Sequence, residues 1–82
     1  MKLKMATDQQ ARLAVELEYF LRHKSEWLQH KTGQYVVIKE NRPLGFYPNF
    51  EVAYRAGAAA FGLETDFLVK QILEHEPVFL VL

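Results

Sequence analysis

The sequence predicts a small α+β protein, in which an antiparallel sheet of strand order 2-1-3 (a split βαβ unit) carries two helices on one face. Before Gly33, apolar residues recur at intervals of three and four, as in an amphipathic helix. After Gly33, short apolar runs rich in β-branched and aromatic residues are typical of strands, and a helical segment separates two of them. The predicted order is α-β-β-α-β with a further terminal β, and the 82 residues fit one domain.

The first helix is predicted over residues 7–32. Thr7 and Gln10 match a capping box, and Gly33 is suited to a left-handed C-cap. An apolar stripe at helical spacing is expected to face the core, namely Leu13, Leu17, Phe20, Leu21, Trp27 and Leu28. The helix is either continuous over this range or bent near Ser25.

Two strands follow, over residues 34–39 and 44–47. Glu40 and Asn41 form a plausible hairpin loop between them, because Asn tolerates a positive φ angle. Pro43 lacks an amide donor, which predicts that the second strand lies at an edge of the sheet.

The second helix is predicted over residues 50–61, with Asn49 as its N-cap and Gly62 as its C-cap. Its inward face consists mainly of small residues, which let a helix lie close on a sheet: Ala53, Ala56, Gly57, Ala60 and Phe61. Residues 67–73 form the predicted third strand. Residues 78–82 are wholly apolar and form the predicted fourth.

Composition disfavours several function classes. Ten basic and ten acidic residues give a net charge of zero, which leaves no electrostatic footprint for phosphate neutralisation and makes nucleic-acid binding a poor fit. No apolar run approaches the roughly 18 residues needed to span a bilayer, and the first residues lack the apolar core of a secretory signal. The absence of cysteine makes a cytoplasmic location the expected one.

The pattern resembles a family of small prokaryotic proteins, the domain of unknown function numbered fifty-six seventy-eight. The resemblance covers roughly residues 17–73, and its most specific part is Phe61-Gly62-Leu63 followed by residues 67–72. It implies a compact α+β module with a helper or binding role. Because some members are encoded beside retropepsin-like aspartic proteases, it also implies a protease as a possible partner, and it supplies no catalytic residues.

The sequence offers no pattern typical of catalytic, cofactor-binding or metal-binding residues, so we predict that the protein is not an enzyme. His23 and His30 are seven residues apart and share a helix face with Glu16 or Glu26 nearby, but they lack the i, i+4 spacing of a helical zinc motif. Ser25 lies only two residues from His23, and positions two apart on a helix do not face each other.

The chain has more apolar strand surface than two helices on one face can cover. Large exposed apolar patches mark interaction sites, so the sequence predicts a homodimer, a small homo-oligomer or a protein partner bound through the uncovered sheet face or the terminal strand. The candidate interface residues are Tyr35, Val37, Phe46, Tyr47, Phe79 and Val81. The alternative is a nucleic-acid-binding regulator that uses the cationic residues of helix one, namely Arg12, Arg22, Lys24 and Lys31.

Overall fold

The computed structural model describes residues 13–75. Its elements in chain order are α1 (Ala14–Trp27), β1 (Tyr35–Lys39), β2 (Arg42–Tyr47), α2 (Phe50–Phe61) and β3 (Leu68–Gln71). The strands form one antiparallel sheet of order β2-β1-β3, with β1 in the centre. The predicted α+β class, element order and strand order are confirmed. Among residues 13–75, no helix is long and apolar enough to cross a membrane.

The two helices lie on opposite faces of the sheet, whereas the sequence predicted both on one face. Three consecutive residues of β1, Val36, Val37 and Ile38, are each 0% exposed. Since successive side chains of a strand point to opposite faces, both faces of the sheet are covered. Val36 and Ile38 cluster with Phe20 of α1 on one face. The sheet is therefore the middle of three layers.

The second face of the sheet carries α2. Tyr35, which points away from α1, holds its ring edge-on to Phe50 of α2 at 6.3 Å between centroids. Ala53 and Gly57 are the buried residues of this helix, as the small-residue pattern predicted. A Cβ atom on Gly57 would lie 2.5 Å from the ring of Phe67, so the glycine allows the helix backbone to touch that ring.

α1 presents a different side to the sheet from the one predicted. Its buried residues are Glu16 and Phe20. Leu17 and Leu21, which the apolar stripe placed in the core, are 37% and 59% exposed. The cause is a long-range contact, because the buried Glu16 accepts a hydrogen bond at Oε2 from the backbone N–H of Glu40, 2.6 Å away.

The ends of α1 also differ from the prediction of residues 7–32. The predicted N-terminal turn, residues 7–12, lies outside the described residues. At the other end the helix stops at Trp27, where the N–H groups of His30 and Lys31 both donate to the Trp27 carbonyl. Gly33 has the positive φ expected of it (90°), but it lies beyond this turn and donates its N–H to Ile72, beside the sheet.

The β1–β2 hairpin turns at Glu40 and Asn41, as predicted. The residue with a positive φ is Glu40 (58°) and not Asn41. The strand register shifts between Val37 and Ile38, so β2 contains a bulge. Pro43 lies on the edge strand β2, which confirms its predicted position.

α2 has the predicted bounds, and the Asn49 side chain caps it by accepting from the Val52 N–H at 2.9 Å. β3 is shorter than the predicted residues 67–73. The predicted fourth strand, residues 78–82, lies outside the described residues.

Candidate interaction surface

The outer edge of β3 carries backbone groups that pair with no strand among residues 13–75. The N–H of Ile72 donates to the Gln34 carbonyl at 2.8 Å, so Ile72 points its backbone groups toward β1. Backbone groups of an antiparallel strand alternate in direction, residue by residue. The N–H and C=O groups of Val69 and Gln71 therefore point outward, away from β1.

Exposed apolar side chains border this edge on the α2 side. Phe50, Tyr54 and Leu63 are 53%, 44% and 74% exposed. With Phe67, whose ring centroid is 5.7 Å from that of Tyr54, they line a groove of about 380 Å³ that also contains residues of β3. The groove thus joins the flank of α2 to the strand edge.

The opposite side of the same edge is bordered by α1. Leu13 lines the groove together with Leu68 and Val69. Leu17 and Leu21 follow Leu13 at intervals of four residues, so they continue along the same side of the helix. We call the outer edge of β3 with the side chains that line this groove the β3-edge surface, comprising Leu13, Phe50, Tyr54, Leu63, Phe67, Leu68 and Val69.

Two opposite charges lie along this edge at symmetric positions. Asp66 lines the groove two residues before Leu68, and Lys70 follows two residues after it. Since side chains two apart share a face of a strand, Leu68 and Lys70 of β3 lie on the α1 side. Asp66 precedes β3; because Phe67 packs on α2, an extended chain from Asp66 to Leu68 places Asp66 on the α1 side as well. The Nζ atom of Lys70 is 5.5 Å from the ring centroid of Phe20, which confirms that side.

The predicted interface residues are divided between the two faces of the sheet. Val37 is fully buried and belongs to the core of the single chain. Tyr35 and Tyr47 are register partners on the α2 face and are both half-buried. The Tyr47 hydroxyl lies over Gly45, 2.7 Å from where a Cβ would stand.

Phe46, on the other face, packs against α1. Its ring meets Trp27 edge-on at 5.3 Å between centroids, and the Nζ of Lys31 lies 5.1 Å from its centre. Val37 is thus fully buried, and the three half-buried residues, Tyr35, Phe46 and Tyr47, do not form one uncovered face. The remaining two predicted interface residues, Phe79 and Val81, lie outside the described residues.

The histidines and cations of the first helix do not form a cluster. His23 lies between the rings of Tyr19 and Trp27, at 4.1 and 5.5 Å between centroids, and its Nδ1 donates to the Tyr19 carbonyl at 2.9 Å. His30 is exposed. Within residues 13–75, no group of three or more His, Cys, Asp or Glu residues could hold a metal ion.

The cationic residues of the alternative hypothesis have separate surroundings. Lys31 contacts Phe46, Lys24 is half-buried and Arg22 is exposed. Arg12 lies outside the described residues.

Most of the exposed apolar residues on the flanks of both helices are not predicted by the sequence pattern. The sequence placed Leu17 and Leu21 in the core and Tyr54 in the core or at a protein interface, and it predicted no position for Phe50. In α2 the sequence does contain an indication of this surface. Phe50 and Tyr54 lie beside the stripe of small residues that faces the sheet, and two large aromatic side chains at exposed positions suggest a contact. No comparable signal in the sequence separated Leu17 from Phe20.

Comparison of the chain with protein-family models, with curated proteins and with solved structures found no match. The family resemblance carried by residues 61–72 therefore stays a prediction.

Proposed function

We propose that this chain is a small non-enzymatic interaction module that binds protein, either a second copy of itself or another chain, through the β3-edge surface. The proposal keeps the expected class of function and moves the contact from a sheet face to a sheet edge. A cytosolic location, expected from the cysteine-free composition, is part of the proposal.

The observation that carries the proposal is the convergence of apolar side chains from α2 and from the start of α1 on a strand edge that no other strand among residues 13–75 pairs with. Unpaired edges readily accept another strand, and proteins usually protect them with proline, charge or a covering element. β2, the other edge, carries Pro43 and a bulge. β3 contains neither a proline nor a bulge, its one charged residue is Lys70, and its neighbours Phe50, Tyr54 and Leu63 are among the large exposed apolar residues of the chain.

The energetics favour association at this surface. Full burial of a large apolar side chain contributes about 1.5–3 kcal/mol, and aromatic residues are common anchors of protein interfaces. Main-chain hydrogen bonds to an added strand give affinity, while pockets beside the strand give selectivity. The β3-edge surface offers both kinds of contact.

The test is photo-crosslinking in the native cells, with a photoreactive amino acid at Leu63, the most exposed residue of the groove. We expect protein crosslinks from the otherwise wild-type chain and their loss in a Tyr54→Lys variant. The matched control is Val52→Lys, because Val52 is similarly exposed but, two residues before Tyr54, lies on nearly the opposite side of α2 from it.

Equal crosslinking in the Tyr54→Lys and Val52→Lys variants, with both folded by circular dichroism, would contradict the proposal. Mass spectrometry of the products distinguishes self-association from another partner. A retropepsin-like protease among them would agree with what the family resemblance implies.

A further inference from the structure

We infer that the occupant of the β3-edge surface is a second copy of this chain, whose β3 pairs antiparallel with β3 of the first about a two-fold axis at Leu68. The inference rests on the proposed function and specifies its partner. The result is one continuous six-stranded sheet with the order β2-β1-β3-β3-β1-β2.

The backbone geometry limits the registers that are possible. The outward N–H and C=O groups belong to Val69 and, by the same alternation, to Phe67 and Gln71. Two β3 strands can form backbone hydrogen bonds only in registers where the outward N–H and C=O groups of one copy face those of the other. In the register centred on Leu68, Phe67 of each copy faces Val69 of the other, and both exchange backbone hydrogen bonds.

Charge favours this register over the one centred on Val69. With Leu68 opposite Leu68, Asp66 of each copy faces Lys70 of the other, on the same side of the sheet. Directly opposed residues of an antiparallel pair stand about 4.5–5.5 Å apart at Cβ, a distance at which opposite charges attract. In the register centred on Val69, Lys70 faces Leu68 and Asp66 faces Ile72, so both charges face apolar side chains.

The exposed flanks of the helices fit the same two-fold arrangement. In an isologous dimer each surface patch meets its own copy. Leu13, which precedes α1, then lies toward the second copy on one side of the joined sheet. Phe50 and Tyr54 of α2 do so on the other side. A second copy therefore covers both borders of the edge at once.

The test uses the full chain and two charge variants, Lys70→Glu and Asp66→Lys, with molar mass measured by light scattering after size exclusion. We expect the wild type at twice the 9.6 kDa of one chain. Each variant alone opposes like charges at both symmetric positions, and we expect at least a tenfold rise in its dissociation constant. In a mixed dimer, Asp66 of the Lys70→Glu chain faces Lys70 of the Asp66→Lys chain, and the two introduced residues, Glu and Lys, face each other. We therefore expect an equimolar mixture of the two variants to dimerise as the wild type does.

The mixing experiment distinguishes contacts of Asp66 and Lys70 across the dimer from contacts that they make inside one subunit. Lys70 and Asp66 make contacts inside their own subunit, so each variant is first checked for an unchanged circular dichroism spectrum. A purely internal defect would persist on mixing. A wild-type dimer that both variants keep, or that mixing fails to restore, would overturn the β3 pairing.

Amide hydrogen exchange of the wild type gives a second measurement that needs no variant. The Val69 amide is expected to become protected as protein concentration rises through the dimerisation range. A chain that stays at 9.6 kDa at millimolar concentration refutes the second copy as occupant. In that case, protection of Val69 means that the chain covers its own edge, and rapid exchange means that the edge is open. If the chain is monomeric but still forms Tyr54-dependent crosslinks to another protein, the proposed function holds and only the second copy as partner is rejected.

Discussion

The close contact between α2 and Phe67 depends on the absence of a side chain at Gly57. A Cβ at this position would approach three atoms of the Phe67 ring to 2.5–2.8 Å, closer than non-bonded carbons can stand. Alanine would gain about 1 kcal/mol of helix propensity, whereas overpacking a buried site costs about 1–3 kcal/mol. We expect Gly57→Ala to lower the free energy of unfolding by about 1 kcal/mol, measured by urea denaturation.

The control for this prediction removes the ring. In a Phe67→Leu background the clash is relieved, so Gly57→Ala should there raise the free energy of unfolding. A stabilising effect of Gly57→Ala in the wild-type background would show that the helix does not rest on Phe67.

Glu40 shows how residue type and backbone conformation diverge in the hairpin. The sequence placed a positive φ at Asn41, because Asn adopts that conformation more readily than other non-glycine residues. The positive φ belongs to Glu40, and the N–H of this residue is the donor to the buried Glu16 carboxylate. The preference of Asn for a positive φ correctly predicted where the turn lies. The residue that adopts the positive φ is Glu40, whose N–H contacts Glu16 of α1.

The orientation of α1 is the main difference at the scale of a single element. Leu17, Phe20 and Leu21 all belong to the apolar stripe in the sequence, but only Phe20 is fully buried. Large-to-small substitutions of buried aromatic residues cost about 3–5 kcal/mol, while exposed positions stay within about 0.5 kcal/mol. We expect Phe20→Ala to destabilise the chain by about 3–5 kcal/mol and Leu21→Ala by less than about 0.5 kcal/mol, by chemical denaturation.

This pair of variants distinguishes the observed helix orientation from the predicted one. If the predicted stripe faced the core, the two substitutions would cost similar amounts. Because dimerisation would itself add to the stability, the measurement is made at a concentration where light scattering finds single chains.

At the scale of the whole molecule, the three-layer arrangement changes where apolar surface remains. A helix on each face shelters both sides of β1, so the surplus expected on an open face is found along the edge of β3. The proposed dimerisation at that edge would make stability depend on protein concentration, because a partner that binds only the folded state stabilises it by mass action. We expect the Tm of the wild type to rise by several degrees over a hundredfold increase in protein concentration, by differential scanning calorimetry.

The Lys70→Glu variant serves as the comparison for this prediction. Its weakened association should leave its Tm nearly constant over the same range. A wild-type Tm independent of concentration, or a variant that follows the wild type, would argue against a dimer held by β3.

The sequence by itself determined the kinds of element, their order and the order of the strands. These features depend on local periodicity, on the Asn49 cap and on the position of Pro43, all of which act within a few residues. The tertiary structure alone decided which face each helix covers and which side of α1 is buried. Periodicity establishes which side chains share a face, but it does not say which layer that face meets. The inward position of Glu16 depends on the Glu40 amide, 24 residues away in sequence, and no local pattern can signal such a contact.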